Sequence, residues 1–126
     1  MKARREPTPE FRRYALEDGW EALVGKTDAD NDLLTFRVAR PGDWWLHVAH
    51  VPGSHVILRH SDGGAPPSGV LKAAAAVAAR HSKARAAGVV PVHCTEVRHV
   101  GKPRGAKPGS VVIRREKTIK VRPAES

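Results

Sequence analysis

The sequence has a single cysteine, Cys94, and no long apolar run. One cysteine excludes an intrachain disulfide and a zinc site built from several cysteines. No stretch approaches the roughly 18 consecutive apolar residues of a membrane span, and residues 1–10 are charged, without the apolar segment of an export signal. We therefore expect a soluble, cytoplasmic protein without a membrane partner.

Large apolar side chains are also scarce. Aromatic residues make up only 5% of the 126 residues, and alanine and valine supply most of the 40% that is hydrophobic. A chain of this length can still bury enough surface to fold as one domain without disulfides. We expect residues 1–10 to be a flexible lead-in, residues 11–122 to be the folded domain, and residues 123–126 to be a polar tail.

Acidic residues are rare in the second half of the chain. Residues 1–63 carry nine Lys and Arg against ten Asp and Glu, whereas residues 64–126 carry thirteen against three, so the second half holds the whole excess behind the net charge of +9. A positive field attracts polyanions and releases their counterions on binding. Nucleic acid is the favoured partner, because no amphipathic helix with large apolar residues is present to bind a membrane.

Turn and helix signals predict an α+β fold. Asp18-Gly19 between two apolar runs predicts one hairpin, and residues 51–53 predict a second. Residues 33–38 are predicted as a strand, and residues 68–87 as a helix that begins at an N-cap Ser68. The pattern as a whole predicts a largely antiparallel, bent sheet of about seven strands packed on that one long helix.

The segment from Asp43 to His47 carries the most information. Alternate side chains of a strand point to opposite faces of a sheet, so Asp43, Trp45 and His47 share one face. If the second hairpin is tight, Trp45 lies opposite Arg59, and His55 joins the same face.

This shared face has two interpretations. A base could stack on Trp45, with help from Arg59 and with hydrogen bonds from the histidines, which is how single-stranded RNA is recognised. Alternatively, Trp45 fills a second hydrophobic layer and His47 is hydrogen-bonded within the fold. The residues alone leave both interpretations open.

Five motifs occur in order along residues 11–122. They are Val24-Gly25-Lys26 with Asn31-Asp32-Leu33, the D-x-W-x-H pattern of Asp43, Trp45 and His47, Pro52-Gly53-Ser54-His55-Val56, Ala73-Ala74 with Ser82-Lys83-Ala84-Arg85, and Lys102-Pro103-Arg104-Gly105-Ala106-Lys107-Pro108-Gly109. Together they resemble the motifs of the NFACT-R domain, the RNA-binding module of NFACT proteins. Trp44 departs mildly from the family pattern, in which an aliphatic residue is more usual.

The resemblance implies an RNA-binding domain that contacts tRNA or ribosomal RNA in translation or ribosome-associated quality control, with the large ribosomal subunit as a candidate partner. Full NFACT proteins also carry an NFACT-N domain, a helix-hairpin-helix and a coiled coil, and they extend stalled nascent chains. Those parts do not fit in 126 residues, so only RNA binding carries over. The resemblance implies no catalytic residue, no metal and no cofactor.

The expected RNA contacts fall into two groups. Trp45, His47 and His55 are expected near bases or sugars, with Arg59 beside them. The cations expected to contact phosphates are Lys72, Arg80, Lys83, Arg85, Lys102, Arg104 and Lys107. Asp43, Asn31, Asp32, Gly53 and Ser54 are expected to be structural motif residues. The alternative is a protein-interaction module that docks an acidic or ribosomal protein without catalysis.

A calcium loop is disfavoured. Asp28-x-Asp30-x-Asp32 begins like an EF-hand, but Leu33 and Ala39 stand where that loop needs Gly and Glu. A turn is the favoured interpretation.

Metal-dependent hydrolysis and nucleophilic catalysis are also disfavoured. The spacing of His47, His50, His55 and His60 matches no recognised zinc pattern. Cys94 cannot reach His93 as a base, because neighbours on a strand point apart. We therefore expect no enzyme activity.

Overall fold

The computed structural model describes residues 9–125, and the predicted lead-in at residues 1–8 and the last residue of the predicted tail lie outside that range. Within it, the strands are β1 (Phe11–Ala15), β2 (Trp20–Gly25), β3 (Trp44–Val48), β4 (Val56–His60), β5 (Val90–Glu96), β6 (Val100–Gly101), β7 (Val112–Ile113) and β8 (Lys117–Val121), and the α-helices are α1 (Asp28–Leu33) and α2 (Ser68–Arg80). Six strands form one sheet in the order β1-β2-β4-β3-β5-β8, and β6 pairs with β7. All pairings are antiparallel. The predicted α+β class is confirmed.

One face of the six-stranded sheet packs against α2 and forms the main core. The side chains of β3 and β4 that point away from the Trp45 face are buried there, namely Leu46, Val48, Val56 and Leu58. Ala74 and Ala78 of α2 are fully buried against it. Their small side chains let the helix axis lie close to the sheet, which explains how a chain poor in large apolar residues still excludes water from this layer.

The opposite face of the sheet carries a smaller second core. It consists of Leu23, Leu34, Trp45 and Ile57, all buried. Residues 97–113 and the chain after α1 cover it, through Val38, Val97 and Ile113. The sheet is therefore covered on both faces.

The predicted strand at residues 33–38 is wrong, because a π-helical turn, Leu34–Val38, continues directly from α1. Thr27 caps α1: its Oγ1 accepts the Asp30 N–H at 3.0 Å and donates to the Asp30 carboxylate at 2.9 Å. Leu34 and Val38 are four residues apart, so both turn toward the second core. A threonine N-cap of this kind is a helix signal, and here it outweighs the strand-favouring composition.

The predicted helix ends earlier than expected, at Arg80 rather than at residue 87, and its N-cap is Pro67 rather than Ser68. Ser82 is buried, and its hydroxyl donates to the Ala79 carbonyl at 2.7 Å. Ser82 also forms a β-bridge with Gly53. The chain thus leaves the helix because it pairs with a distant segment. Neither described helix is long and apolar enough to cross a bilayer.

Both predicted hairpins are present, but the register of the second differs. Trp45 lies opposite Ile57 rather than Arg59, two residues from the prediction. The reason is that residues 52–54 pair with the end of α2 instead of closing a tight turn. A shift of two residues leaves every side chain on its original face. The shared face predicted for β3 and β4 is therefore retained.

A glycine substitution tests how tightly α1 packs on β2. A Cβ at Gly25 would overlap Asn31 Oδ1, which accepts the buried His55 N–H at 3.0 Å. We expect Gly25→Ala to lower the free energy of unfolding by about 2 to 4 kcal/mol, through overpacking and the loss of that bond. Urea denaturation followed by circular dichroism measures the change.

Gly69→Ala is the matched control, because Gly69 is helical and no atom lies within 4 Å of the place that a Cβ would take there. It should raise stability by up to about 1 kcal/mol. Equal destabilisation by both substitutions would contradict the packing described for Gly25.

Candidate nucleic-acid interface

Asp43 and Arg59, which lie at one end of the shared face, form an ion pair. Asp43 is buried, and its Oδ2 accepts from Arg59 Nη2 at 3.0 Å and from the Arg40 N–H at 2.9 Å. Arg59 also donates to the Val38 carbonyl at 3.1 Å. Asp43 is thus bonded inside the fold to a side chain and to a backbone amide. Arg59 is committed to these bonds inside the fold, so its expected role beside a stacked base on Trp45 is not supported.

Trp45 belongs to the second core. It is only 3% exposed and packs with Leu34 and Ile57. Its ring lies nearly parallel to that of His47, with the centroids 5.8 Å apart and the planes 12° apart. The structure therefore matches the interpretation in which Trp45 fills a second hydrophobic layer, and an open stacking platform on this ring is not present.

His55 is buried and makes three hydrogen bonds inside the fold, so it is not a surface contact. Its backbone N–H donates to Asn31 Oδ1. Its Nε2 donates to the Gly109 carbonyl at 3.0 Å, which leaves Nδ1 to accept from the Thr35 hydroxyl at 2.9 Å. Burial, with a smaller contribution from the neighbouring His47, lowers the pKa of His55 to about 4. The ring is neutral near pH 7, and both of its nitrogens are bonded within the fold.

Lys102 fastens the loop of residues 101–110 to α1. Its Nζ lies 2.8 Å from Asp32 Oδ2 and also donates to the carbonyls of Lys107 and Ser110. The same carboxylate accepts the Gly109 N–H at 2.8 Å. Asp32 therefore binds both a side chain and a backbone amide of the loop. Lys102 was expected to contact phosphate, but its ammonium group is held in these bonds.

The other expected phosphate contacts lie at the surface. Lys72 is exposed on α2, Lys83 and Arg85 are exposed just beyond it, and Arg104 and Lys107 are exposed on the loop. Arg80 is half-buried, and its Nη1 donates to the Glu125 carbonyl at 2.6 Å, so its charge is not neutralised.

Three of the five motifs meet at one cleft of about 400 Å³, which we call the cationic cleft. Its cations are Lys26, Arg80, Lys83 and Arg85, and its centre is the Gly53-Ser54 segment. Asp28 is the one carboxylate among the lining residues. The cleft therefore concentrates positive charge from separate parts of the chain.

The cleft depends on a close approach of two backbones. The Ser54 N–H donates to the His81 carbonyl at 2.9 Å, and the Lys83 N–H donates to the Pro52 carbonyl at 2.9 Å. A Cβ at Gly53 would lie 2.9 Å from the Ser82 Cβ, so only glycine fits. Pairing with the 52–54 segment holds residues 81–83 in place, which brings Lys83 and Arg85 to the rim.

Sequence reasoning assigned no RNA contact to the lining residues Lys26 and His81, although Lys26 stands in the first of the five motifs. Lys26 lies between the end of β2 and the capped helix α1, and this position is the sequence feature that could have pointed to a role at the interface. Nε2 of His81 and the Tyr14 hydroxyl share one hydrogen bond, with the two atoms 2.6 Å apart. Burial, together with Arg12 and Arg80, lowers its pKa. No sequence pattern marked His81.

A sequence model of the family described as the NFACT protein RNA binding domain matches residues 10–115. The chain belongs to this family. The match covers β1 through β7, and so it includes every element that lines the cationic cleft.

Relatives of this NFACT RNA-binding domain are longer proteins. The Rqc2 homolog RqcH of Bacillus subtilis is 42% identical over 123 residues, which are 98% of this chain and 21% of that protein. The Rqc2 homolog RqcH of Streptococcus suis is 43% identical over 114 residues, which are 90% of this chain and 20% of that protein. This chain thus spans about a fifth of the length of these curated relatives.

A solved structure supports the same fold. The C-terminal part of the fibronectin/fibrinogen-binding protein of Streptococcus suis superposes with a TM-score of 0.85 at 39% identity. The match covers 99% of this chain and 49% of that chain. The sheet and helix arrangement of this NFACT RNA-binding domain is therefore that of an experimentally known domain.

The groups that the sequence analysis weighed for catalysis or metal binding have the following surroundings in the structure. Burial raises the pKa of the Cys94 thiol to about 12, so the reactive thiolate is not populated near neutral pH. Across residues 9–125, no group of three His, Cys, Asp or Glu side chains is placed to hold a metal ion. The Asp28 to Asp32 stretch is helix α1 rather than the expected turn.

The buried His55 predicts a pH-dependent stability. Its folded pKa of about 4 lies below the 6.5 of an unfolded histidine. Between these values the unfolded chain binds more protons, so the contribution of His55 is complete above about pH 6.5 and is lost as the pH falls toward 4. We expect a loss of up to about 3 kcal/mol from this residue, measured by urea denaturation between pH 7.5 and 4.5.

His99→Gln is the control and should keep this pH profile, because His99 lies outside the His55 network. An NMR titration of wild-type His55 tests the cause directly, and a midpoint near 6.5 would contradict it.

Proposed function

We propose that this domain binds structured RNA, either tRNA or ribosomal RNA, through the cationic cleft. The observation that carries the proposal is the convergence of Lys26, Arg80, Lys83 and Arg85 on one cleft that holds a single carboxylate. A cleft with one sign of charge focuses its field and raises the local concentration of a polyanion. Membership of an RNA-binding family supports the same ligand.

Side chains rather than backbone amides supply the phosphate contacts. The amides of Ser54 and Lys83 are already bonded across the 52–54 pairing. Arginine can hold two phosphate oxygens at once, and lysine acts as a point charge. Such contacts position a nucleic acid but carry no sequence information. The domain is therefore expected to select its RNA by shape.

The loop of residues 101–110 extends this surface. Its Gly109 approaches Asp28, which lines the cationic cleft, closely enough that a Cβ on the glycine would lie 3.2 Å from Asp28 Oδ1. The ion pair of Lys102 with Asp32 holds the loop there. Arg104 and Lys107 project from it into solvent. We assign these two residues to a second set of phosphate contacts beside the cleft.

The setting we propose is ribosome-associated quality control in the cytoplasm, with the large ribosomal subunit as the partner that presents or receives the RNA. The relatives named Rqc2 homolog RqcH support this setting. Because the chain spans about a fifth of their length, the proposal covers RNA binding alone and not the extension of nascent chains.

Removing two cations from the cationic cleft tests whether RNA binds there. We expect the double variant Lys83→Ala/Arg85→Ala to bind labelled tRNA or a ribosomal RNA fragment more weakly than the unmodified domain. The slope of log affinity against log salt should fall by about 2, because about one counterion is released for each phosphate contact. Fluorescence anisotropy at several salt concentrations measures both quantities.

Arg40→Ala/Arg98→Ala is the matched control. It removes the same charge at the opposite end of β3 and β4 from the cleft. Equal weakening by both pairs would contradict the location, and a flat salt response would contradict RNA binding. Proteins that copurify equally from lysate with and without nuclease would favour the protein-interaction alternative.

A further inference from the structure

A second cleft lies on the other side of the 50–54 loop from the cationic cleft. It has a volume of about 350 Å³ and is lined by His47, His50, His55, His93, Trp45 and Ile113, among others. We call it the histidine cleft. Pro52 lines both clefts, and His47 Nε2 donates to the Gly53 carbonyl at 3.2 Å. The two clefts are therefore neighbours across one short segment.

The inner part of the histidine cleft is uncharged. Burial lowers the pKa of His47 and that of His55, so both rings are neutral near pH 7. A neutral, partly apolar recess does not attract a phosphate. It suits an uncharged planar group, in the way that small-molecule clefts combine apolar walls with a few polar atoms.

One buried polar atom in this region has no partner. Trp45 Nε1 makes no hydrogen bond within the described residues, although Trp45 is only 3% exposed. An unpaired buried donor costs about 1 to 3 kcal/mol, and such atoms are rare in folded proteins. Trp45 lines the histidine cleft, so a ligand in the cleft that brings an acceptor atom to this indole N–H would remove the penalty.

The mouth of the cleft is aromatic and accessible. His50 is exposed, and its ring meets that of His93 edge to face, with centroids 5.9 Å apart. His93 is half-buried, and its Nδ1 bonds with the Thr118 hydroxyl at 3.2 Å. Two imidazole rings at the rim offer a stacking surface for a flat heterocycle.

We propose that the histidine cleft binds one unstacked nucleobase of an RNA whose phosphates occupy the cationic cleft. The base stacks on the face of one rim imidazole, His50 or His93, and meets the other edge to face, because the two rings are nearly perpendicular. One of its carbonyl or ring nitrogen acceptors faces the indole N–H of Trp45. This inference rests on the proposed RNA binding and adds a base-binding site to it. The site lies at the rim and floor of the cleft, rather than on an open face of Trp45.

The test compares two labelled oligomers at low salt, a ten-residue oligouridylate and a backbone of the same length that lacks every base. We expect the oligouridylate to bind at least about fivefold more tightly, because stacking of a single base contributes that much. His50→Asn/His93→Ala should bind both oligomers equally. Asparagine is chosen because His50 has a φ of 67°, which asparagine tolerates. His99→Ala, which changes a histidine outside the cleft, should keep the preference.

Different results would overturn the base site and the proposed RNA binding. Equal, salt-sensitive binding of both oligomers by the unmodified domain would overturn the base site and leave RNA binding intact. If neither oligomer binds, RNA binding is decided by the measurement with tRNA or a ribosomal RNA fragment described above, and the base site is decided by NMR with uridine or adenosine at millimolar concentration. A shift of the Trp45 indole N–H resonance supports the site, and no shift overturns it. A shift caused by N-acetyltyrosinamide and not by either nucleoside also overturns it.

Discussion

The arrangement of this domain depends on the buried hydrogen bonds around His55. Its backbone is held by Asn31 of α1, one ring nitrogen by Thr35 of the following turn, and the other by the Gly109 carbonyl of the 101–110 loop. Two segments that are far apart in the chain, namely α1 with the turn after it and the 101–110 loop, are thus fastened to the residue just before β4. The bonds to Asn31 and Thr35 are buried, so losing either one leaves an unsatisfied group inside the protein. This constraint places the loop beside α1 and fixes the floor of the histidine cleft.

The basic residues divide according to what they contact. Arg59 and Lys102 are paired with Asp43 and Asp32, and these pairs hold β3 to β4 and the loop to α1. Lys83 and Arg85 are exposed at the rim of the cationic cleft, together with the half-buried Arg80. Net charge alone does not distinguish these groups, because a lysine in an ion pair and a lysine at the rim of a cleft count equally. The partition depends on which carboxylates the fold brings within reach.

Much of the fold followed from local pattern. The alternation in Asp43 to His47 predicted the two faces of β3 correctly. The predicted pairing of β3 with β4 was wrong by two residues, and because two is an even number, each side chain still lies on its predicted face. Local pattern failed where a distant segment intervened. Ser82 turns the chain out of the helix because it meets Gly53, and Leu34 joins a helical turn because Thr27 and Asp30 begin α1. Lys26 and His81 were not assigned to the interface from the sequence for the same reason. They reach the cationic cleft only because the fold brings β2 and α2 together.

The sequence by itself determined the α+β class, the antiparallel hairpins, the family and the positive character of the second half. These properties reside in periodicity, turn residues, motif order and charge, all of which are local or additive along the chain. The tertiary structure alone decided whether Trp45 faces solvent, which cations remain unpaired and where the two clefts form. Those outcomes depend on close approaches between residues far apart in sequence, such as Gly53 with Ser82 and Lys102 with Asp32. A contact of that kind forms only when the packing of the whole domain brings the two segments together, so no single stretch of sequence specifies it.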